Sequence, residues 1–335
     1  MDNFSGLKYA PLDHDAQITA LNIPAMGQEL VEYTATVSVT EAAGKEETLT
    51  ATFFIGETQY GEAVTKTVAV NGTETFEVTF TPDGAIRGDA YFVITNEDIS
   101  LTTDRVAVAI SAAPVLDESS MTVDGDTQML SDFDNWGSYP VLKLRYTLEE
   151  GYNTIVLPFA VSDLSVFGET VTAYEFDDYV DGLVMMKSVS SLNAQQPYIL
   201  HSEEAKGEFL FTDVTNFRPS AAPENINTAK QGIVLQGTYT PVSAPDMDGL
   251  YLVAADGSLQ RGADDDAITG FHAYFDFSAS PAQEYMLSFD GVVTGISEAT
   301  VFDDVKGDIF DLQGRKVTAP QRGIYIVSGK KVVVK

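Results

Sequence analysis

Three histidines, at positions 14, 201 and 272, are the only side chains here that titrate near neutrality when unperturbed, and they fall in three different kinds of segment. His14 lies between Asp13 and Asp15, a trio that could hold a cation but reads more plainly as a solvated turn. His201 ends the run QPYILH, and His272 in GFHAYFDF is accounted for by strand alternation alone. With no cysteine, the chain has no disulfide, thiolate zinc site or cysteine nucleophile. No HExxH, GxSxG or phosphate-loop pattern occurs, so no local signature supports hydrolysis or phosphoryl transfer. A triad whose members meet only in space leaves no such signature, and among 50 acids any chosen carboxylate pair is uninformative.

Other residues could bind rather than react. Asp264, Asp265 and Asp266 in ADDDAIT supply the hard oxygens that suit Ca²⁺, without the spacing and central glycine of an EF-hand loop. Asp124, Asp126, Asp132 and Asp134 form a similar acidic run. Ca²⁺ is therefore the one ion these clusters could hold, and no other cofactor is expected. Trp136, the sole tryptophan, stands near Tyr139 in DFDNWGSYP. Aromatic faces flanked by acids and amides stack on sugar rings and bond their hydroxyls, so Trp136 and Tyr139 are the candidate ligand-binding pair. The competing reading is a tryptophan that plugs a core. Arg87, Gly88 and Asp89 spell a tripeptide read by some integrins, but Gly88 also serves as a turn before the strand AYFVIT.

The elements that must position these groups are strands. Between Gln17 and Ser111, seven short runs rich in β-branched and aromatic residues recur between Gly, Asn, Asp and Pro, the pattern of an antiparallel sandwich. Period-2 alternation should turn Val37 and Val39 to the core, with Thr36 and Ser38 facing away. Pro114 and a small, acidic run mark a linker over 114–128. From 129 to 296 some ten strand signals resume less regularly, broken by the connection RPSAAPENINTAKQG, whose Pro219 and Pro223 keep those positions out of a sheet; PENINTAK is the one short helical turn suggested. Residues 297–335 close with three short strands ending in a hairpin at Ser328 and Gly329. The expected fold is all-β: an Ig-like or fibronectin-III-like β-sandwich over 1–113, a larger β-sandwich or barrel-like domain over 129–296, and a short C-terminal β-hairpin appendage.

Charge narrows the partners. Nineteen basic against 50 acidic residues give a net charge of −31, which repels phosphate backbones and anionic lipid, so neither nucleic acid nor a membrane surface is an expected partner. No apolar run reaches the roughly 18 residues a spanning helix needs. The opening MDNFSGLKYA has no signal-peptide core, so export implies a leader already removed. Against this acidic background, residues 309–335 hold six Lys or Arg and one acid, net +5, leaving −36 on residues 1–308.

That basic end carries a resemblance. DLQGRKV followed by GIYIVSGKKVVVK is similar to the end of type A sorting domains of the type IX secretion route in Bacteroidetes, at Asp311, Leu312, Gly314, Arg315, Val317, Gly323, Tyr325, Ile326 and Lys330. GYNTIVLPFAV, LNAQQPYIL and GLYLVAADGSL resemble the non-repetitive C-terminal module of BspA-like surface proteins. TVSVTEAAGKEETLTATFFIG resembles CARDB-type or fibronectin-III-like adhesion modules. The resemblance implies an extracellular or outer-surface address, contact with secretion machinery through the C-terminus, and no chemistry. The expected function is a non-catalytic surface or secreted module for adhesion, for binding a glycan or protein, or for spacing. The alternative is the accessory C-terminal region of a secreted hydrolase whose catalytic domain lies upstream.

Overall fold

The computed structural model describes residues 15–120, 137–180, 182–217, 223, 229–230, 232–243, 246, 249–263, 266–278, 285–294, 308–318, 323–327 and 330–334. The chain divides into two compact units, Met1–Pro114 and Val115–Lys335. Among the described residues the secondary structure is strand, with two single-turn 3-10 segments and no α-helix.

In the first unit, β1 (Ala16–Asn22), β2 (Met26–Gln28), β3 (Tyr33–Glu41), β4 (Glu47–Ile55), β5 (Thr58–Gln59), β6 (Val64–Val68), β7 (Thr73–Phe80), β8 (Ile86–Thr95), β9 (Ser100–Thr102) and β10 (Val106–Ser111) form two sheets. One runs β1-β3-β7; the other runs β2-β10-β8-β4, with β5 and β6 on the far edge of β4 and β9 on β8. Alternation decides which side faces in. Val37, Val39, Leu49, Phe53, Phe76 and Phe92 are fully buried, while Thr36 and Ser38 point the other way, as the period-2 pattern requires. Phe53 bridges the sheets, with its ring centroid 5.0 Å from both Phe80 and Phe92. On outer faces, cross-strand hydroxyl pairs such as Thr48–Thr67 and Thr50–Thr65 stitch neighbouring strands.

Two details of this unit correct or extend the sequence reading. Arg87, Gly88 and Asp89 lie inside β8, with Gly88 opposite Val108 of β10. Gly88 is thus a ladder residue rather than a turn, and the tripeptide lacks the loop presentation that an integrin would need. Glu41, 1% exposed, accepts the backbone N–H groups of Ala43, Gly44 and Asn71. The Asn71 amide foremost holds this carboxyl below its ordinary range.

The second unit stacks three layers. Its strands are β11 (Val115–Asp117), β12 (Tyr139–Leu148), β13 (Gly151–Val156), β14 (Thr172–Val180), β15 (Leu183–Val189), β16 (Pro197–Ser202), β17 (Lys206–Val214), β18 (Ala229–Lys230), β19 (Ile233–Thr238), β20 (Val242–Ser243), β21 (Leu250–Val253), β22 (Leu259–Arg261), β23 (Ala267–Ile268), β24 (His272–Asp276), β25 (Met286–Phe289) and β26 (Val292–Val293). Sheets run β11-β12-β17, β13-β16-β14-β15-β25-β26 and β18-β19-β24-β21-β22, with β20-β23 as a separate pair. The six-stranded sheet is the middle layer. Tyr198 and Leu200 of β16 pack with β12 and β17, whereas Ile199 between them packs with β19 and β24. With neighbours on both faces, β13, β16 and β25 are buried at nearly every position, so their alternation is hidden.

The span 114–128, expected as a linker, begins with β11, which pairs in parallel with β12, and continues into a 3-10 turn at Glu118–Ser120. The suggested helical turn PENINTAK lies outside the described residues at 224–228, and its last two residues form β18.

One glycine is required by a close approach. Gly151 has φ +101°, and a Cβ there would meet the carbonyl oxygen of Ala255 at 2.3 Å. Gly151→Ala must therefore strain its own backbone and displace the turn at 255–257. The expected cost is about 2 kcal/mol, read as a lower urea midpoint, and an unchanged midpoint would show that this turn yields freely.

At the C-terminus, β27 (Ile309–Phe310), β28 (Gly323–Val327) and β29 (Lys330–Val334) form a three-stranded antiparallel sheet. The expected hairpin is β28-β29, and β27 adds a third strand at its other side.

Candidate functional site

Each residue of the DLQGR stretch has a local physical task. The Asp311 carboxylate accepts the backbone N–H groups of Gln313 and Arg315 and the Arg315 guanidinium, at 3.0, 2.8 and 2.6 Å. Burial pushes this carboxyl up, but the Arg315 donors outweigh it and leave it below its ordinary range. Gly314 turns the chain at φ +78°, and the Arg315 carbonyl receives the Asp311 N–H. Leu312 packs on Leu183 and Met286, so the turn is docked where β15 and β25 of the middle sheet begin. Tyr325 is half-buried beside the fully covered Val327; Gly323 and Lys330 are strand residues of β28 and β29. The motif therefore builds one capped, docked turn.

Gly314→Ala puts a Cβ into a left-handed conformation at a cost of about 1 kcal/mol. Together with Asp311→Asn, which removes the anionic acceptor, it is expected to accelerate tryptic cleavage at Arg315. Equal cleavage rates in variant and parent would show that the caps do not order the turn.

The binding candidates fare differently. Trp136, His14, Asp264, Asp265 and the acidic run from Asp124 to Asp134 lie outside the described residues. Tyr139 starts β12 and packs edge-on against Phe217, with centroids 5.6 Å apart, as part of the core margin. Asp266 accepts the backbone N–H of Ala263 and closes its own turn. Among the described residues no group of three acids or histidines could hold a metal ion. His201 leans on Tyr152, with centroids 4.6 Å apart.

His272 occupies a cluster that sequence spacing could not reveal. Glu118, 9% exposed, accepts the N–H and hydroxyl of Thr147 on one oxygen, while Thr269 Oγ1 and His272 Nε2 lie 3.3 and 3.2 Å from the other. His272 stacks on Tyr146 at 4.7 Å, and its Nδ1 faces Tyr146 Oη and Thr154 Oγ1 at 3.5 and 3.4 Å. Burial first, then the Glu118 charge, pushes the Tyr146 hydroxyl well above its usual range. Carboxylate, imidazole and phenol together could do acid–base chemistry, but here they satisfy one another. Tyr146 donates to the Thr154 carbonyl, and Thr154 Oγ1 is taken by the Ala273 N–H. Each of these polar groups thus has a partner within the cluster, which clasps the Glu118 turn to β12 and β24.

An open groove of about 850 Å³ lies elsewhere on this unit, walled by segments 160–166, 193–196 and 210–216. Its first wall is fixed by the paired backbones of Val161 and Leu192 and by Asp163, which caps the 3-10 turn Leu164–Val166 by accepting the Ser165 N–H. That hydrogen bond holds the Asp163 carboxyl below its usual range. The opposite wall is the end of β17. Leu210 is 45% exposed there, and Asp213 and Asn216 adopt left-handed φ values of +53° and +54°. Such backbone in residues other than glycine costs about 1 kcal/mol or more each and gathers at functional sites. Asp163 and Asp213 bring carboxylates to the lining, Asn193, Gln196 and Asn216 bring amides, and among the described residues no lysine or arginine lines it. Neither His272 nor Glu118 contributes.

No protein-family model matches the chain, and no curated protein matches it. Among solved structures it is similar to a β-glucosidase from Listeria innocua in complex with glucose, at 8% identity and TM-score 0.21, over 30% of this chain and 16% of that one. The same enzyme with isofagomine gives TM-score 0.22 at 8% identity and the same coverage. WR4, a Caenorhabditis elegans MSP family member, is 11% identical with TM-score 0.19, over 29% of this chain and 97% of that one. This chain thus spans about a sixth of the glucosidase's length. These likenesses are too slight to bear on activity.

Proposed function

We propose that this chain is a non-catalytic secreted or cell-surface module that binds its ligand in the groove beside β17. The observation that carries the reading is a polar groove with fixed walls and left-handed Asp213 and Asn216, while the one described cluster with acid–base composition is closed on itself. Rigid walls reduce the ordering cost of binding. An address outside the cell draws support from the resemblance of the DLQGR stretch to sorting domains and from the net charge of −31, which favours solubility.

The test is a screen of the purified chain on immobilised glycans, mucin and matrix proteins, with and without Ca²⁺. A saturable hit is expected that is lost in Thr212→Tyr, where a strand-compatible ring fills the groove from an exposed position of β17. A hit that survives Thr212→Tyr moves the site elsewhere, and a folded chain silent toward glycans, matrix proteins and peptides alike sinks the binding reading.

A further inference from the structure

We propose that the free edge of β17 takes an extended, cationic peptide segment as an added strand. This rests on the groove being a binding site, and it names the class of ligand.

Three observations converge on the edge. In its sheet β17 pairs only with β12, so among the described residues its other side carries no ladder. Nine residues at about 3.4 Å each offer roughly 30 Å of unpaired backbone. Every residue from Leu210 to Asn216 lines the groove, whereas a ligand lying on a sheet face would meet only alternate ones. The groove therefore runs along the strand's edge, where N–H and C=O groups point outward, the geometry used by strand addition.

Natural edges are usually guarded against such pairing by charges, proline or bulges. This one has Lys206 at its start, tied down by donation to the Val166 carbonyl at 2.9 Å. Beyond it the edge presents Glu208, engaged by Arg145 at 3.6 Å, and then an exposed Leu210, with the left-handed Asp213 interrupting it near its end. An apolar side chain left uncovered midway along an open edge is a contact waiting for a partner.

Charge chooses among extended segments. Among the described residues the lining includes the carboxylates of Asp163 and Asp213 and no Lys or Arg, with Lys206 reaching only the Val166 carbonyl from the strand's start, on a chain of net charge −31. A segment with Lys or Arg beside an apolar residue would place its cation between the two aspartates and its apolar side chain on Leu210, while an acidic segment would be repelled.

The experiment is selection of random nonapeptides displayed on phage against the full chain, followed by calorimetric titration of the enriched peptides. Enriched sequences should carry Lys or Arg. Affinity should fall at least tenfold in Leu210→Lys, which changes only an exposed side chain, and should be lost when alternate peptide amides are N-methylated. Amide exchange within 207–214 should slow on binding.

Enrichment of acidic or uncharged sequences, or indifference to N-methylation, overturns the proposal. If no peptide is enriched while a glycan binds in the array screen, strand addition is wrong and the binding reading stands. If neither binds, both fail.

Discussion

Phe159→Ala is expected to destabilise the second unit by about 3–5 kcal/mol, the usual cost of emptying a fully buried aromatic site. Phe159 is 0% exposed and meets Phe211 edge-on at 4.9 Å and Phe217 face-on at 6.0 Å. Phe211 is also part of the groove's wall, so the cavity would open directly behind the proposed binding surface. Urea denaturation of parent and variant measures the loss, and groove binding should weaken in parallel. A shift below about 1 kcal/mol would mean that the neighbouring rings collapse into the space. Phe159→Leu should recover part of the stability by refilling it.

Glu118→Ala should cost about 2–4 kcal/mol, because it strands the Thr147 N–H and hydroxyl and the His272 imidazole at a site where the carboxylate is only 11% exposed. The isosteric Glu118→Gln isolates the charge. Burial alone would raise this carboxyl, but donation from His272 and Thr147 outweighs it and sets its pKa below the ordinary 4.5. As pH falls, the unfolded chain takes up this proton first. The group's contribution is therefore complete above about 4.5 and is lost as pH drops through the lower folded-state value. The urea midpoints of parent and Glu118→Gln should differ most near neutrality and converge in acid. A difference that stays constant down to about pH 3 would show that Glu118 does not titrate with folding.

The legible part of the fold was the part with one solvated face. In the first unit, each strand turns alternate residues to water, so Val37 and Val39 against Thr36 and Ser38 could be sorted from period alone. In the second unit, Thr154 to Leu157 and Pro197 to Leu200 are buried whether they face one neighbouring layer or the other. Their sequence shows where strands are but hides that a third layer exists. β11 was missed because three residues in parallel pairing, closed by Glu118, leave no run long enough to see.

The candidate sites were less legible, for a different reason. Asp311, Leu312, Gly314 and Arg315 act within five residues, so their motif could be read directly. The Glu118–His272 pair spans 154 positions, and the groove collects three separate segments, so neither has a local signature. TDVTN, a polar cluster ending an apolar strand, is the local trace the groove leaves, and the sequence reading did not single it out. Conversely, the abundance of acids made clusters such as Asp264 to Asp266 look like ligand sets, and Asp266 proves to close a turn.

The docking of Leu312 also fixes what a protease would leave behind. While the last sheet is in place, that side chain covers Leu183 and Met286, with Met185 and Val293 beside them and an exposed Val292 next to those. Cleavage ahead of Ile309 would remove the cover and, with it, a segment of net charge +5. The trimmed body would be more acidic yet newly oily where β15 and β25 begin, a shed product more inclined than the intact chain to self-associate through that patch.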